Sequence, residues 1–313
     1  MAAKRILILA NKDWEAEPLV GVLLNGKARP DAKSYPRIPF PDFGAVPKVE
    51  VPLKAGGSKF VSARAALYYP KEATPDAIAE VWAIRDLMDP TESGSSSREK
   101  ARVLPALVKN GREPTVIIAF GTATTPAARS LNGCVVVGSK VFVHNPLAGT
   151  LDPDREWRHD DFGKLMHSRE VHPVIDLLDR GQLRSPSEIR FLRSPIHPAD
   201  PPVLVVSPDF VAVSSVNVTT PALYAWADRQ ALEAAEKAGI REAIGSVETT
   251  HGVIRLVLRS EQFFFVSGIA NGLGAFGAET GPRDYAQNFV ASHNAAIALA
   301  WMLPRLLNPA ATG

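Results

Sequence analysis

Three short runs constrain this chain most, because each is apolar at successive positions and not at every second one. They are Ile6-Leu7-Ile8-Leu9-Ala10, Val116-Ile117-Ile118-Ala119-Phe120 and Phe263-Phe264-Phe265-Val266. A strand covered on both faces has this pattern, and such strands belong to sheets sandwiched between helices. Each run ends in polar or small residues: Asn11-Lys12-Asp13, Gly121-Thr122-Ala123-Thr124-Thr125, and Ser267-Gly268-Ile269-Ala270-Asn271. In an open α/β sheet, ligands bind beyond the carboxyl ends of the strands. Asn271 is therefore expected at a pocket rim. The segment Ser246-Val247-Glu248-Thr249-Thr250-His251 precedes the third run and places Glu248 where a helix begins, able to fold back towards the same rim.

The 313 residues suffice for one large core, and 46% hydrophobic with 22% charged residues is ordinary globular composition. A net charge of +2 with no basic run gives no case for nucleic-acid binding. Nothing reaches the length of a membrane span, and Ile6 to Ala10 is too short for a secretory core. The single cysteine, Cys134, forbids an intrachain disulfide and fits a reducing, cytoplasmic location. The expected organisation is one domain over 1–313, with irregular insertions near 26–58, 86–100 and 145–200.

Between the runs, Pro18 suits the first turn of a helix reaching Leu24, and Val49-Glu50-Val51 reads as one strand within the first insertion. Residues 77–87 fit a helix or a strand equally. A helix is expected over 98–109, stopped by Asn110-Gly111, and another over 174–182. Strands are expected at 134–137, 140–143, 203–206 and 211–213. Thr220-Pro221 opens a helix that closes at Gly239, where a left-handed cap fits. The last helix starts with the capping-box spacing Asp284 to Gln287, and its apolar stripe is Phe289, Ala296, Ala300, Leu303 and Leu307, with a kink before Pro304.

Several familiar motifs carry little. Gly272-Leu273-Gly274-Ala275-Phe276-Gly277 matches G-x-G-x-x-G, the basis for a nicotinamide-dependent oxidoreductase. Pro282 intervenes, however, and no second strand with an acidic residue follows. His159, His167 and His172 lack zinc-hydrolase spacing, and there is no nucleophile elbow. Ser95 to Ser97 with Arg98 read as a surface loop. No metal or organic cofactor is expected. The groups at strand ends are more informative together: Glu15, Thr122, Glu248 and Asn271 each follow an expected strand, and neighbouring strands would bring them into one pocket.

The order of these segments resembles the nucleoside phosphorylase and nucleosidase superfamily, particularly its methylthioadenosine/S-adenosylhomocysteine nucleosidase branch. Ile8 to Glu15 is similar to the family's first strand and the loop bearing a water-activating Glu. Gly121-Thr122-Ala123 is similar to its Gly-Ser/Thr-Ala-Gly-Gly strand end, and Val247-Glu248 to its Met-Glu pair before a helix. Asn271 stands where the family has a base-contacting acid or amide. Thr124-Thr125 replace the two glycines, Val247 the methionine, and Asn271 the aspartate of the nucleosidases.

The resemblance implies a three-layer phosphorylase/hydrolase-like α/β fold, with a central mixed, twisted sheet flanked by helices. It implies cleavage of the N-glycosidic bond of a purine nucleoside through an oxocarbenium-like transition state. Glu15 would be the catalytic base, with Asn271 the second catalytic group, assisting the leaving base. Thr122, Val247, Glu248, Phe210 and Asn217 would line the substrate site, Phe210 as a candidate for stacking on the base. Hydrolysis is expected over phosphorolysis, because the regions where the phosphorylases carry arginines read Asn11-Lys12-Asp13 and Ala119-Phe120. Phosphate would be the co-substrate of a phosphorylase, with Lys12 or Arg98 as substitute cations. A catalytically silent nucleoside-binding protein is a further alternative. A homodimer or larger homo-oligomer is implied.

Overall fold

The computed structural model describes residues 4–24, 44–45, 50–52, 60–69, 76–91, 97–109, 111–126, 133, 135–138, 141–145, 150–153, 204–206, 209–212, 229–230, 232–239, 241, 244–248, 250–258, 262–273 and 285–307. In chain order, β1 (Lys4–Ala10) leads into α1 (Asp13–Leu24), followed by the short strands β2 (Gly44–Ala45), β3 (Glu50–Pro52) and β4 (Phe60–Ser62). Next come β5 (Ala65–Tyr69), β6 (Ala77–Ala83), and three short helices, α2 (Ile84–Leu87), α3 (Ser97–Val103) and α4 (Pro105–Lys109). The middle of the chain supplies β7 (Val116–Thr125), β8 (Val135–Gly138), β9 (Val141–Asn145), β10 (Thr150–Pro153), β11 (Leu204–Val206) and β12 (Asp209–Ala212). Last are β13 (Ser246–Val247), α5 (Thr250–Val257), β14 (Phe263–Gly272) and α6 (Tyr285–Leu307).

Twelve of these strands form one mixed sheet, and β3 with β4 forms a separate ribbon. At its centre β6, β1, β7 and β14 run parallel, with Ile8 opposite both Val81 and Ile118, and Ile118 opposite Phe264. Antiparallel partners flank this core: β5 on β6, and β8 on β14. The three apolar runs are thus the central strands, and Ile6 to Ala10 are fully buried. Burying each large aliphatic side chain contributes about 1.5–3 kcal/mol, so this seam is the natural anchor of the fold. Helices α1 and α6 pack on one another, and α6 lies over β14. This is the expected three-layer architecture. Among the described residues, no helix is long and apolar enough to cross a membrane.

Several elements differ from their sequence expectations. The second apolar run does not break at Gly121, because β7 continues through Thr125. Its extension pairs with Asn271 and Gly272 of β14 on one side and Val247 of β13 on the other. Helix α1 begins at Asp13, not at Pro18, which lies within it. The Lys12 carbonyl accepts the N–H groups of Glu15 and Ala16 at 3.1 and 3.0 Å and so starts the helix. Glu15 accordingly stands in a helical first turn and not in a loop. The expected helix over 98–109 is two helices separated at Leu104. Residues 77–87 divide into strand β6 and the single turn of α2.

Other expectations hold. Gly239 has φ of 68°, and its N–H donates to Glu236 O at 3.0 Å, ending the helical stretch over 232–237. In the expected α6 stripe Ala296, Ala300, Leu303 and Leu307 are buried, while Phe289 is only half-buried. The expected strands at 134–137, 140–143, 203–206 and 211–213 correspond to β8, β9, β11 and β12, each displaced by a residue or two. The expected helix over 174–182, the cap at Asp284, the three histidines of 159–172 and Cys134 lie outside the described residues.

Two packing details recur below. A Cβ on Gly268 of β14 would lie 2.1 Å from the Ala291 carbonyl oxygen, so α6 rests directly on strand backbone there. At the amino end of β1, Arg5 and Glu80 form a buried pair. Arg5 Nε and Nη2 donate to the two Glu80 oxygens at 3.0 and 2.9 Å, and Trp82 Nε1 donates to Glu80 Oε2 at 2.9 Å.

Candidate active site

The carboxyl ends of β1 and β7 converge on Glu15, which is 3% exposed. Its Oε2 accepts the backbone N–H groups of Asn11 and Lys12 at 2.9 and 3.0 Å. Its Oε1 accepts the Thr122 backbone N–H at 2.8 Å and the Thr122 hydroxyl at 2.9 Å. Both oxygens are therefore held, one by the strand-to-helix turn of its own segment and one by β7. Burial pushes the Glu15 carboxyl above the ordinary range and the Glu248 charge pushes it further, while the Thr122 and Lys12 donors pull it back. A buried carboxylate raised in this way suits proton abstraction near neutral pH.

Gly121 makes this approach possible. A Cβ built there would lie 2.9 Å from Glu15 Oε1, closer than real Cβ contacts allow. Gly121→Ala is expected to move the carboxylate while leaving the sheet paired. Misplacing a reacting group by about 1 Å can cost roughly 100-fold in rate. A loss of that order in kcat/KM, with the thermal midpoint nearly unchanged, is the expected kinetic and calorimetric result.

Glu248 directly follows β13, near enough to Glu15 for its charge to act on that carboxyl. Its Oε2 accepts the His251 backbone N–H at 2.6 Å, so the carboxylate sits on the open N–H groups of α5, where a helix favours negative charge. Its side chain keeps 10% exposure. Below it, His251 Nδ1 is 3.4 Å from Ser267 Oγ, and its ring stacks on Phe265 with centroids 5.7 Å apart. Val247 pairs with Thr124 across β13 and β7, and Thr124 Oγ1 donates to the Val247 carbonyl at 3.2 Å. Thr124 is also the partner of Asn271 on β14, just past an irregularity in register between Ile269 and Asn271. Asn271 is buried, and its Nδ2 donates to Gly272 O at 3.1 Å.

The structure therefore gathers Glu15, Thr122, Val247, Glu248 and Asn271 at one end of the sheet. Thr122, expected to line the substrate site, meets Glu15 directly. The Phe210 backbone lies in β12 opposite Val247, one strand further out. Its side chain, Asn217 and the Arg98 side chain lie outside the described part, as do Gly274 to Gly277 of the glycine motif. Lys12 stacks its ammonium over the Trp14 ring, 4.5 Å from the centroid. Among the described residues, no cluster of three or more His, Cys, Asp or Glu side chains is arranged to hold a metal ion.

One charged group at this site was not anticipated. Lys100 of α3 is 0% exposed, and its Nζ donates to Thr250 Oγ1 at 2.7 Å. Burial pushes its ammonium down to about 8, helped by Lys12 and opposed by Glu248 and Glu15. A signal for it was present in the spacing. In the helix expected over 98–109, Lys100 falls in phase with Val103, Leu104 and Leu107, which are all buried, and a lysine in phase with such a stripe has nowhere to go but inward.

No protein-family model matches the chain, and no curated protein matches it by sequence. Solved structures do match. The apo 5′-methylthioadenosine nucleosidase of Arabidopsis thaliana superposes with a TM-score of 0.50 at 13% identity, covering 98% of this chain and 96% of that one. A second structure, an MTA/SAH nucleosidase, gives a TM-score of 0.50 at 11% identity, covering 98% of both chains. At such identities the match speaks for the fold, and the chain has the fold of the methylthioadenosine/S-adenosylhomocysteine nucleosidases.

Proposed function

We propose that this protein hydrolyses the N-glycosidic bond of a purine nucleoside. The observation that carries the reading is the pair of carboxylates, Glu15 and Glu248, on two strand ends of a nucleosidase-type fold. Breaking the bond builds positive charge on the sugar and negative charge on the departing base. A carboxylate on the ribose hydroxyls orients the sugar and offsets its growing charge, and Glu248, partly open to the pocket, has that role. Glu15 takes a proton from the attacking water, for which its raised pKa suits it. Thr122 and the amides of Asn11 and Lys12 hold that base in one orientation.

Asn271 hydrogen-bonds the leaving base. An amide is not a proton donor in the acid–base sense, so the departing base takes its proton from solvent water, and Asn271 contributes by polarising the base.

The test is release of free base from a panel of purine nucleosides, with and without phosphate, for wild type and Glu248→Gln. Release without phosphate that falls roughly 100-fold or more in the variant supports the reading, a loss typical of a positioned group acting in the transition state. Release only with phosphate would make the protein a phosphorylase. Nucleoside binding with no release from any member would replace the reading with a silent binder.

A further inference from the structure

We propose that Lys100 is a positioning residue of this site: its buried ammonium, anchored on Thr250 at the first turn of α5, holds the turn that carries Glu248 in place and sets a positive charge beside Glu15. The inference rests on the functional reading above, because it gives that pair a purpose.

The geometry comes first. Lys100 arrives from α3, which packs on α5, and ends at Thr250 Oγ1, two residues beyond Glu248. Glu248 accepts the N–H of His251, the neighbour of Thr250. The ammonium and the carboxylate therefore grip the same helical turn. A fully buried lysine is costly to keep charged, and a lysine with no task would be replaced at no loss by an apolar residue of similar length. Here the charge has two carboxylates within its field. Two buried carboxylates repel, and one of them takes up a proton unless a cation offsets them. A protonated Glu15 could not accept a proton from water.

On α5, His251 brings its Nε2 to 4.0 Å from Glu248 Oε2. On α3 itself, Glu99 is bound by Arg102 and by the Asp89 N–H. On α2, Asp86 is held by Arg64. The exposed Lys109 lies on α4, and Arg255 of α5 stands over the Phe263 ring, 5.5 Å from its centroid. The charges that act on Lys100 are Glu248 and Glu15, which favour its protonated form, and Lys12, which opposes it.

The experiment is a ¹³C-carboxyl NMR titration of Glu15 in wild type and Lys100→Gln, paired with the pH profile of kcat/KM. With the cation gone, the Glu15 titration is expected to rise by about one pH unit or more, which is about a tenfold loss of its ionised form on the acid side. The acid limb of kcat/KM should move with it. An unchanged carboxylate titration, with only a shift in melting, would mean that Lys100 is merely structural and would overturn the proposal. If Lys100→Gln does not fold, the coupling is read from its other partner. Glu248→Gln should lower the titration of the Lys100 side chain, and no change there would equally overturn it. The titrations need no substrate. If wild type released no base, the functional reading would fall while the titrations still decided the role of Lys100.

Discussion

Glu15→Gln is expected to lower kcat/KM for base release by roughly 100- to 10,000-fold, the range over which a positioned general base acts. The amide keeps the shape and loses the capacity to accept a proton from water. It also places an NH₂ group where the carboxylate now receives N–H donors, either from Asn11 and Lys12 or from Thr122. Backbone donors cannot turn away, so the variant also loses the orientation of the side chain. In wild type the pH dependence has a definite sign. Because the Glu15 carboxyl is raised, first by burial and then by Glu248, activity should be lost as pH falls through that raised value, above the ordinary glutamate range. Stability responds in the opposite sense. A raised folded-state pKa means that the folded chain binds more protons than the unfolded one between the two values. The contribution of Glu15 to stability is therefore full below the ordinary value of 4.5 and declines as pH rises through the folded one. Activity profiles and denaturant midpoints measured over the same pH range test both signs, and parallel curves would refute the assignment.

Glu80→Ala should produce the largest loss of stability, about 3–5 kcal/mol, with no first-order effect on chemistry. Glu80 takes three donated hydrogen bonds, two from Arg5 and one from Trp82. Its removal leaves the Arg5 guanidinium, 5% exposed, with only carbonyl partners, at Arg112 and Leu107. Breaking a buried pair from one side costs this much because the surviving charge keeps its desolvation penalty. Replacing both partners together, as Arg5→Met with Glu80→Leu, should recover most of the loss, since well-packed apolar groups often serve as well. Urea unfolding of the single and double variants measures both, and an equally unstable double variant would contradict the argument. The pair lies at the amino end of β1 while Glu15 follows its carboxyl end, so kcat/KM of the folded fraction should stay near wild type.

Much of the site could be seen in the chain before any coordinates. Glu15, Thr122 and Asn271 stand just past apolar runs, Glu248 stands where a helix begins, and Val247 is singled out only by the likeness of Val247-Glu248 to the family's Met-Glu pair. The parts that were not legible share a physical cause. Gly121-Thr122-Ala123-Thr124-Thr125 has the composition of a turn, yet threonine is also a good strand residue. What extends β7 is pairing on both sides, by Val247 and by Asn271, and a single segment carries no trace of its partners. The start of α1 was hidden by Pro18, whose preference for the first turn is real but weaker than the Lys12 carbonyl and the tertiary hold on Glu15. Lys100 was obscured by its own charge, because a lysine is ordinarily solvated and only its phase with Val103, Leu104 and Leu107 argued otherwise.

The junction of α1 with α6 has a consequence for how the molecule is made. Lys4 Nζ donates to Leu306 O at 2.9 Å, a contact between residues 302 positions apart, and α6 packs on the helix that carries Glu15. α6 in turn needs β14 already in place, since the Ala291 carbonyl rests on the bare backbone of Gly268. On a ribosome the base-bearing helix, Asp13–Leu24, emerges well before its covering layer, Tyr285–Leu307. Until then its buried face, Ala16, Leu19, Val22 and Leu23, has no cover from α6. Contacts of such long range cannot form until the later segment exists. The site therefore cannot be completed until α6 has emerged, and until then the nascent chain carries an exposed apolar helix face, the kind of surface that holding chaperones recognise.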